Sequence, residues 1–178
     1  MSVTQAAIDR TSLDRIHASF GGRMVILGFG SIGQGVLPLL LRHIDMPQDR
    51  ITIVTAEPRG AEVAAAYGIT FIETAATREN YATLLAPLLG KGDFLLNVSV
   101  DVSSVALITL CRELGALYLD TVVEPWGGLY TDPSLSPSER SNYALRESVL
   151  ALPKDGPTAV ITHGANPGLV SQIGRTHV

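Results

Sequence analysis

The stretch Gly28-Phe29-Gly30-Ser31-Ile32-Gly33 constrains this chain more than any other. It follows the apolar run Arg23-Met24-Val25-Ile26-Leu27 and opens a segment with helical spacing. At Gly28 a strand can turn tightly. At Gly30 the backbone can approach a pyrophosphate with no side chain between. At Gly33 the helix can pack close to the strand. The first turn of that helix, with Ser31 and Ile32, offers free N–H groups and the positive end of the helix dipole to phosphates. An acidic residue after the next strand completes the pattern: Glu57 follows Ile51-Thr52-Ile53-Val54-Thr55. The expectation is a dinucleotide site built on Gly28, Gly30, Ser31, Ile32, Gly33 and Glu57.

Glu57 is placed to accept hydrogen bonds from an adenosine ribose, and its charge repels a 2′-phosphate, which favours NAD over NADP. Arg59, two residues on, is a counter-signal, because a nearby arginine can hold that phosphate. A solvated loop carboxylate is the bland alternative for Glu57.

The rest of the chain alternates strand and helix patterns. Strands are expected at 23–27, 51–55, 69–72, 93–98, 116–119 and 158–162. Helices are expected at 31–43, 61–67, from Thr77 through Leu88, at 103–114 and at 136–150. Pro38 falls inside the first helix and should kink it. Phe94, Leu95, Leu96 and Val98 form a nearly continuous apolar run, as a strand covered on both faces should. Alternation of this kind predicts an α/β fold, a Rossmann-like doubly wound parallel sheet of about six strands with right-handed crossovers. Residues 1–22 read as an N-terminal arm or short helix with Thr11 or Ser12 as a cap, 23–171 as the dinucleotide-binding domain, and 172–178 as an atypical tail.

Composition narrows the partners. The chain has 178 residues, 46% hydrophobic and 17% charged, enough for one full core and too apolar for disorder. The net charge of −4 has no basic cluster in it, which argues against nucleic acid. No run approaches the ~20 apolar residues that span a bilayer, and no signal peptide is visible, so no membrane partner and a cytoplasmic location are expected. The single cysteine, Cys111, sits in a helical pattern as a small buried residue, and no cluster of ligands has metal spacing.

Ligands of such a sheet bind outside the carboxyl ends of the strands. Ser99, Asp101, Glu124 and His163 all fall there, as does Asn166. Ser99 is expected beside the cofactor. Asp101 and Glu124 lie where a nicotinamide would sit and can bind a cationic substrate or move a proton. Asp101 can equally cap the helix that follows it. Trp126 can stack on a cation or cofactor, or anchor its loop in the core. His163 is an acid–base candidate by type, or a hydrogen-bonded loop histidine. Asn-Pro-Gly at 166–168 aims the Asn166 amide at the strand ends.

Four segments together resemble bacterial homospermidine synthases of the saccharopine dehydrogenase-like group: GFGSIGQGVLPLLLRH, LLNVSVDVSS, LDTVVEPWGG and HGANPG, within about Arg23 to Ser171. The resemblance implies NAD kept as a prosthetic group, oxidation of putrescine to an imine, addition of a second amine with loss of ammonia, and reduction to homospermidine. It implies that Asp101 and Glu124 bind or orient the polyamine nitrogens and that Asn166 lines the same pocket; a homodimer is expected of the full-length enzyme. Family chains continue into a large substrate domain. Here Gln172 to Val178 departs from the family, so a truncated or frameshifted product is expected, with the second domain missing, apolar sheet surface open and self-association following. Two other functions stay open: an ordinary NAD(P)-dependent amine or amino-acid dehydrogenase of the same group, and a non-catalytic NAD-binding fragment.

Overall fold

The computed structural model describes residues 15–163. Strands β2 (Met24–Leu27), β4 (Ile51–Thr55), β5 (Thr70–Glu73), β6 (Phe94–Asn97), β7 (Leu117–Asp120) and β8 (Ala159–Val160) form a six-stranded sheet in the order β5-β4-β2-β6-β7-β8. Every pairing is parallel. The order runs outward in one direction from β2 through β4 and in the other through β6, so the crevice between β2 and β6 is the topological switch point.

The central strands are covered on both faces, which is why β2 and most of β6 are apolar. All four residues of β2 are buried. Its alternating side chains serve two cores. Val25 and Leu27 pack with Leu95, Tyr118, Leu107, Ile108 and Val149. Met24 and Ile26 pack with Ile51, Ile53, Leu37, Phe29 and Leu96 on the other side. Arg23 fixes the strand register at its start: its N–H and guanidinium both reach the buried Asp93 carboxylate, at 2.7 and 2.8 Å.

Among the described residues, five α-helices connect the strands. α1 (Ser31–His43) crosses from β2 toward β4 and runs unbroken through Pro38. α2 (Ala61–Ala66) and α3 (Tyr81–Leu85) are short. α4 (Ser104–Leu114) starts where Ser103 Oγ accepts the Ala106 N–H at 3.3 Å and stops at Gly115, which is left-handed with φ 76°. Asp101 therefore does not cap this helix; Ser103 does.

α5 (Asn142–Leu150) begins later than the expected 136. Ser136 and Glu139 bond each other reciprocally, Ser136 N–H to Glu139 Oε2 at 2.8 Å and Glu139 N–H to Ser136 Oγ at 3.3 Å. That capping pattern closes a separate turn, and Ser141 then caps the real helix through the Ala144 N–H.

The N-terminal arm is described from Arg15 onward. Within the described residues it is extended: β1 (Ala18–Ser19) pairs in parallel with β3 (Ile44–Asp45) in a two-stranded sheet. The His17 N–H donates to the His43 carbonyl at 2.8 Å. The proposed caps at Thr11 and Ser12, and the tail from 164 onward with Asn166, lie outside the described residues. Val100, Val122 and Val160, in β8 and in the loops after β6 and β7, are exposed. No helix among the described residues is long and apolar enough to cross a membrane.

Candidate active site

The switch-point crevice is open and about 330 Å³ in volume, walled by Gly28, Gly30, Thr55, Glu57, Thr74 and Ser99 among others. The glycines around it differ in what they do. Gly28 has φ +89°, and a Cβ there would lie 2.7 Å from Ser99 Cα and N, so this turn closes only on glycine. A Cβ at Gly33 would lie 2.8 Å from the Gly28 carbonyl oxygen, so the helix sits tight on the turn. A Cβ at Gly30 would meet nothing within 4 Å. Open space therefore lies in front of it, on the crevice side that Gly30 borders.

Gly30 is also the N-cap of α1, where no side chain caps the helix and no acidic residue stands in the first turn. The first N–H groups of the helix are left for an anion. Ser31 and Ile32 occupy that first turn and are exposed, Ile32 by 55%. Glu57 and Arg59 both border the crevice, 3.7 Å apart and exposed, a loose pair that leaves either side chain free to turn to a ribose or its phosphate.

Glu124 and Asp101 come close together after β7 and β6. Burial raises the Glu124 carboxyl above its ordinary value, and the neighbouring Asp101 charge adds to that, while the Asp101 backbone N–H pulls it back. Asp101 itself adopts φ 60°, left-handed for a residue with a side chain. Its carboxyl lies against Gly127, where a Cβ would be 3.5 Å from Cγ. Tyr130 was not anticipated. Its hydroxyl is pushed up by burial and then by the charges of Glu124 and Asp101. The two carboxylates thus set up one region of negative potential that reaches the neutral Tyr130 phenol, which suits an ammonium group.

Trp126 anchors its loop. Its ring packs edge-on against Tyr81 at 5.3 Å, and the cation above it is the chain's own Arg78 at 6.0 Å. His163 is exposed, and its backbone N–H donates to the Asp120 carbonyl at 2.9 Å.

A second cluster was invisible to sequence reading. Asp120 is fully buried at the end of β7. Its Oδ2 accepts the Tyr118 hydroxyl at 2.8 Å and the Ser104 hydroxyl at 2.9 Å, and its Oδ1 accepts the Thr162 N–H at 2.7 Å. Asn97 Nδ2 donates to the Tyr118 oxygen at 3.1 Å. Ser104 Oγ in turn accepts the Glu124 N–H at 3.0 Å. Burial raises the Asp120 carboxyl, and the three donors lower it again. The sequence signal was present in outline: Asn97 and Asp120 both end apolar strands, and the β6–β7 register places them side by side.

The sheet order, the glycine turn at its switch point and the uncapped helix define a Rossmann-type nucleotide-binding domain. The chain belongs to the family described as the saccharopine dehydrogenase NADP binding domain, which matches residues 24–163. It is 49% identical over 162 residues to the homospermidine synthase of Blastochloris viridis, covering 88% of this chain and 34% of that protein. It is 45% identical to the homospermidine synthase of Mesorhizobium japonicum, covering 88% and 33%. The crystal structure of the Legionella pneumophila homospermidine synthase in complex with NAD superposes with a TM-score of 0.78 at 40% identity, covering 92% of this chain and 35% of that one. The chain thus spans about a third of the length of these relatives.

Proposed function

We propose that this chain is the NAD-binding N-terminal portion of a homospermidine synthase. The observation that carries the reading is the uncapped α1 N-terminus behind an unobstructed Gly30, at a switch point walled also by Val100 and Val102, the residues on either side of Asp101. In the whole enzyme, putrescine is oxidised to an imine, a second amine adds with loss of ammonia, and the new imine is reduced to homospermidine.

The residues present fit NAD: free N–H groups for the pyrophosphate at Gly30, Ser31 and Ile32, close packing at Gly28 and Gly33, and Glu57 for a ribose. Bound NAD supplies a hydride acceptor that returns the hydride later, so the reaction has no net redox change. Asp101 and Glu124 hold the ammonium end of the diamine by charge. Glu124, with its raised carboxyl, takes and returns the amine proton. The resemblance adds Asn166, which lies outside the described residues, to the groups of the amine site, and His163 is a further acid–base candidate by residue type. The finer assignments follow from the same reading: a polyamine substrate, a cytoplasmic location and a homodimer in the longer protein.

The test is calorimetric titration of the chain with NAD and NADP, followed by incubation with NAD and putrescine. NAD binding, and homospermidine formed without NADH build-up once the chain is extended to the relatives' length, support the proposal. NADH build-up indicates an ordinary dehydrogenase instead. Tighter NADP binding, with Arg59 holding the phosphate, overturns the cofactor assignment. NAD binding without any turnover even in the extended protein leaves a non-catalytic module.

A further inference from the structure

We propose that the Ser99 hydroxyl is held as a hydrogen-bond acceptor toward the crevice by the buried relay Asn97–Tyr118–Asp120. It therefore binds a donor group of the dinucleotide, a ribose hydroxyl or the carboxamide, and not a phosphate oxygen. The inference rests on the dinucleotide reading above and adds which part of that ligand Ser99 meets.

Counting protons fixes the direction of each of these bonds. Three donors converge on the two oxygens of Asp120: the Tyr118 hydroxyl, the Ser104 hydroxyl and the Thr162 N–H. That arrangement suits the ionised carboxyl, which only accepts. Ser104 has one proton and commits it here, because its oxygen already accepts the Glu124 N–H. Tyr118 likewise spends its one proton on Asp120, so its oxygen can only accept from Asn97. Asn97 must then present its NH₂ to Tyr118, at 3.1 Å, and its carbonyl to the other side.

On that other side stands Ser99. Asn97 Oδ1 accepts the Ser99 N–H at 3.2 Å and the Ser99 hydroxyl at 2.6 Å. The backbone N–H cannot accept, so it demands the same amide orientation independently. The one hydroxyl proton of Ser99 is thereby turned inward, and only lone pairs remain for a ligand in the crevice that Ser99 borders. A phosphate oxygen needs donors and finds none at this hydroxyl. The uncapped N–H groups of α1, behind Gly30 on the same crevice, supply them. Asn97, Tyr118 and Asp120 are positioning residues in this account, since they act on the ligand only through Ser99.

The experiment titrates the chain, after a thermal melt shows each variant folded, with NAD, AMP, nicotinamide mononucleotide and inorganic pyrophosphate. Ser99→Ala should weaken NAD about three- to tenfold, the worth of one neutral hydrogen bond, and leave pyrophosphate unchanged. Ser99→Thr, which keeps the hydroxyl, should restore NAD binding. A loss confined to AMP assigns the adenosine ribose, and a loss confined to the mononucleotide assigns the nicotinamide half; both support the proposal. Tyr118→Phe should weaken NAD about two- to threefold in the parent chain and not at all in Ser99→Ala, because its effect passes through Ser99. Equal loss of pyrophosphate and NAD in Ser99→Ala overturns the proposal, as does unchanged NAD affinity or simple additivity of the two substitutions. A folded parent chain that binds no NAD fails the dinucleotide reading itself, a result distinct from all of these.

Discussion

Ser104 donates its hydroxyl to Asp120 at 2.9 Å while its own oxygen accepts the Glu124 N–H at 3.0 Å. The backbone repeats the link, with the Ser104 N–H bonded to the Glu124 carbonyl at 2.9 Å. The loop that carries Glu124 is thus tied to the first residue of α4 and, through it, to a buried carboxylate in the sheet. Irregular though it looks, the loop is held to rigid elements.

Asp120→Asn is expected to destabilise the chain by about 2–4 kcal/mol in urea unfolding, because an amide NH₂ replaces one acceptor and is left facing donors in a buried site. Ser104→Ala should cost less, about 1–2 kcal/mol, by leaving one Asp120 lone pair and the Glu124 N–H unpaired. Equal stability of Asp120→Asn and the parent would remove the network from any structural role.

Gly28→Ala and Gly30→Ala should separate folding from binding. The first places a Cβ 2.7 Å from Ser99 backbone at φ +89° and should cost about 2–4 kcal/mol of stability. The second meets open space at φ −74° and should change stability by less than about 0.5 kcal/mol. Gly30→Ala should nonetheless weaken NAD by about tenfold or more, because its methyl enters the space a pyrophosphate takes. Thermal melts and titrations on the two variants check both halves.

Glu124 has its pKa raised in the folded chain, first by burial and then by Asp101. A raised carboxyl binds its proton more tightly folded than unfolded. Its contribution to stability is therefore most favourable below the unfolded value near 4.5 and declines as pH rises through the folded value. Glu124→Gln removes that decline and keeps an acceptor for the Asp101 N–H. Relative to the parent, the variant should gain stability from pH 4 toward pH 7 by an amount set by the shift. A stability difference that is flat with pH would contradict the placement of the two carboxylates.

The core and the crevice walls were legible in the chain for physical reasons. β4 matches its expected ends and β2 differs by one residue, because strands covered on both faces are rich in apolar and β-branched residues. Helix α1 was read from its glycines to His43. What could not be read depends on contacts between distant segments. Tyr118, Asp120, Asn97 and Ser104 look like ordinary strand and helix-end residues until register places them together. The pairing of Ala18–Ser19 with Ile44–Asp45 is too short to leave a pattern. α5 starts later than the sequence suggests because two capping serines, Ser136 and Ser141, compete within six residues, and the first closes only a turn.

Cys111 offers a control on the fold. It is 1% exposed, and burial pushes its thiol up to about 12. It should resist thiol reagents at neutral pH in the native chain and react fully once the chain is unfolded. Rapid labelling under native conditions would show that the packing of α4 on the sheet is not as described.

The central claim is that the glycine turn at the switch point binds NAD. Calorimetric titration of the parent chain and of Gly30→Ala with NAD tests it most directly. The account predicts one site per chain in the parent and affinity lowered by about tenfold or more in the variant, with both chains melting alike. A folded parent chain without NAD binding, or a Gly30→Ala variant that binds as tightly as the parent, would contradict it.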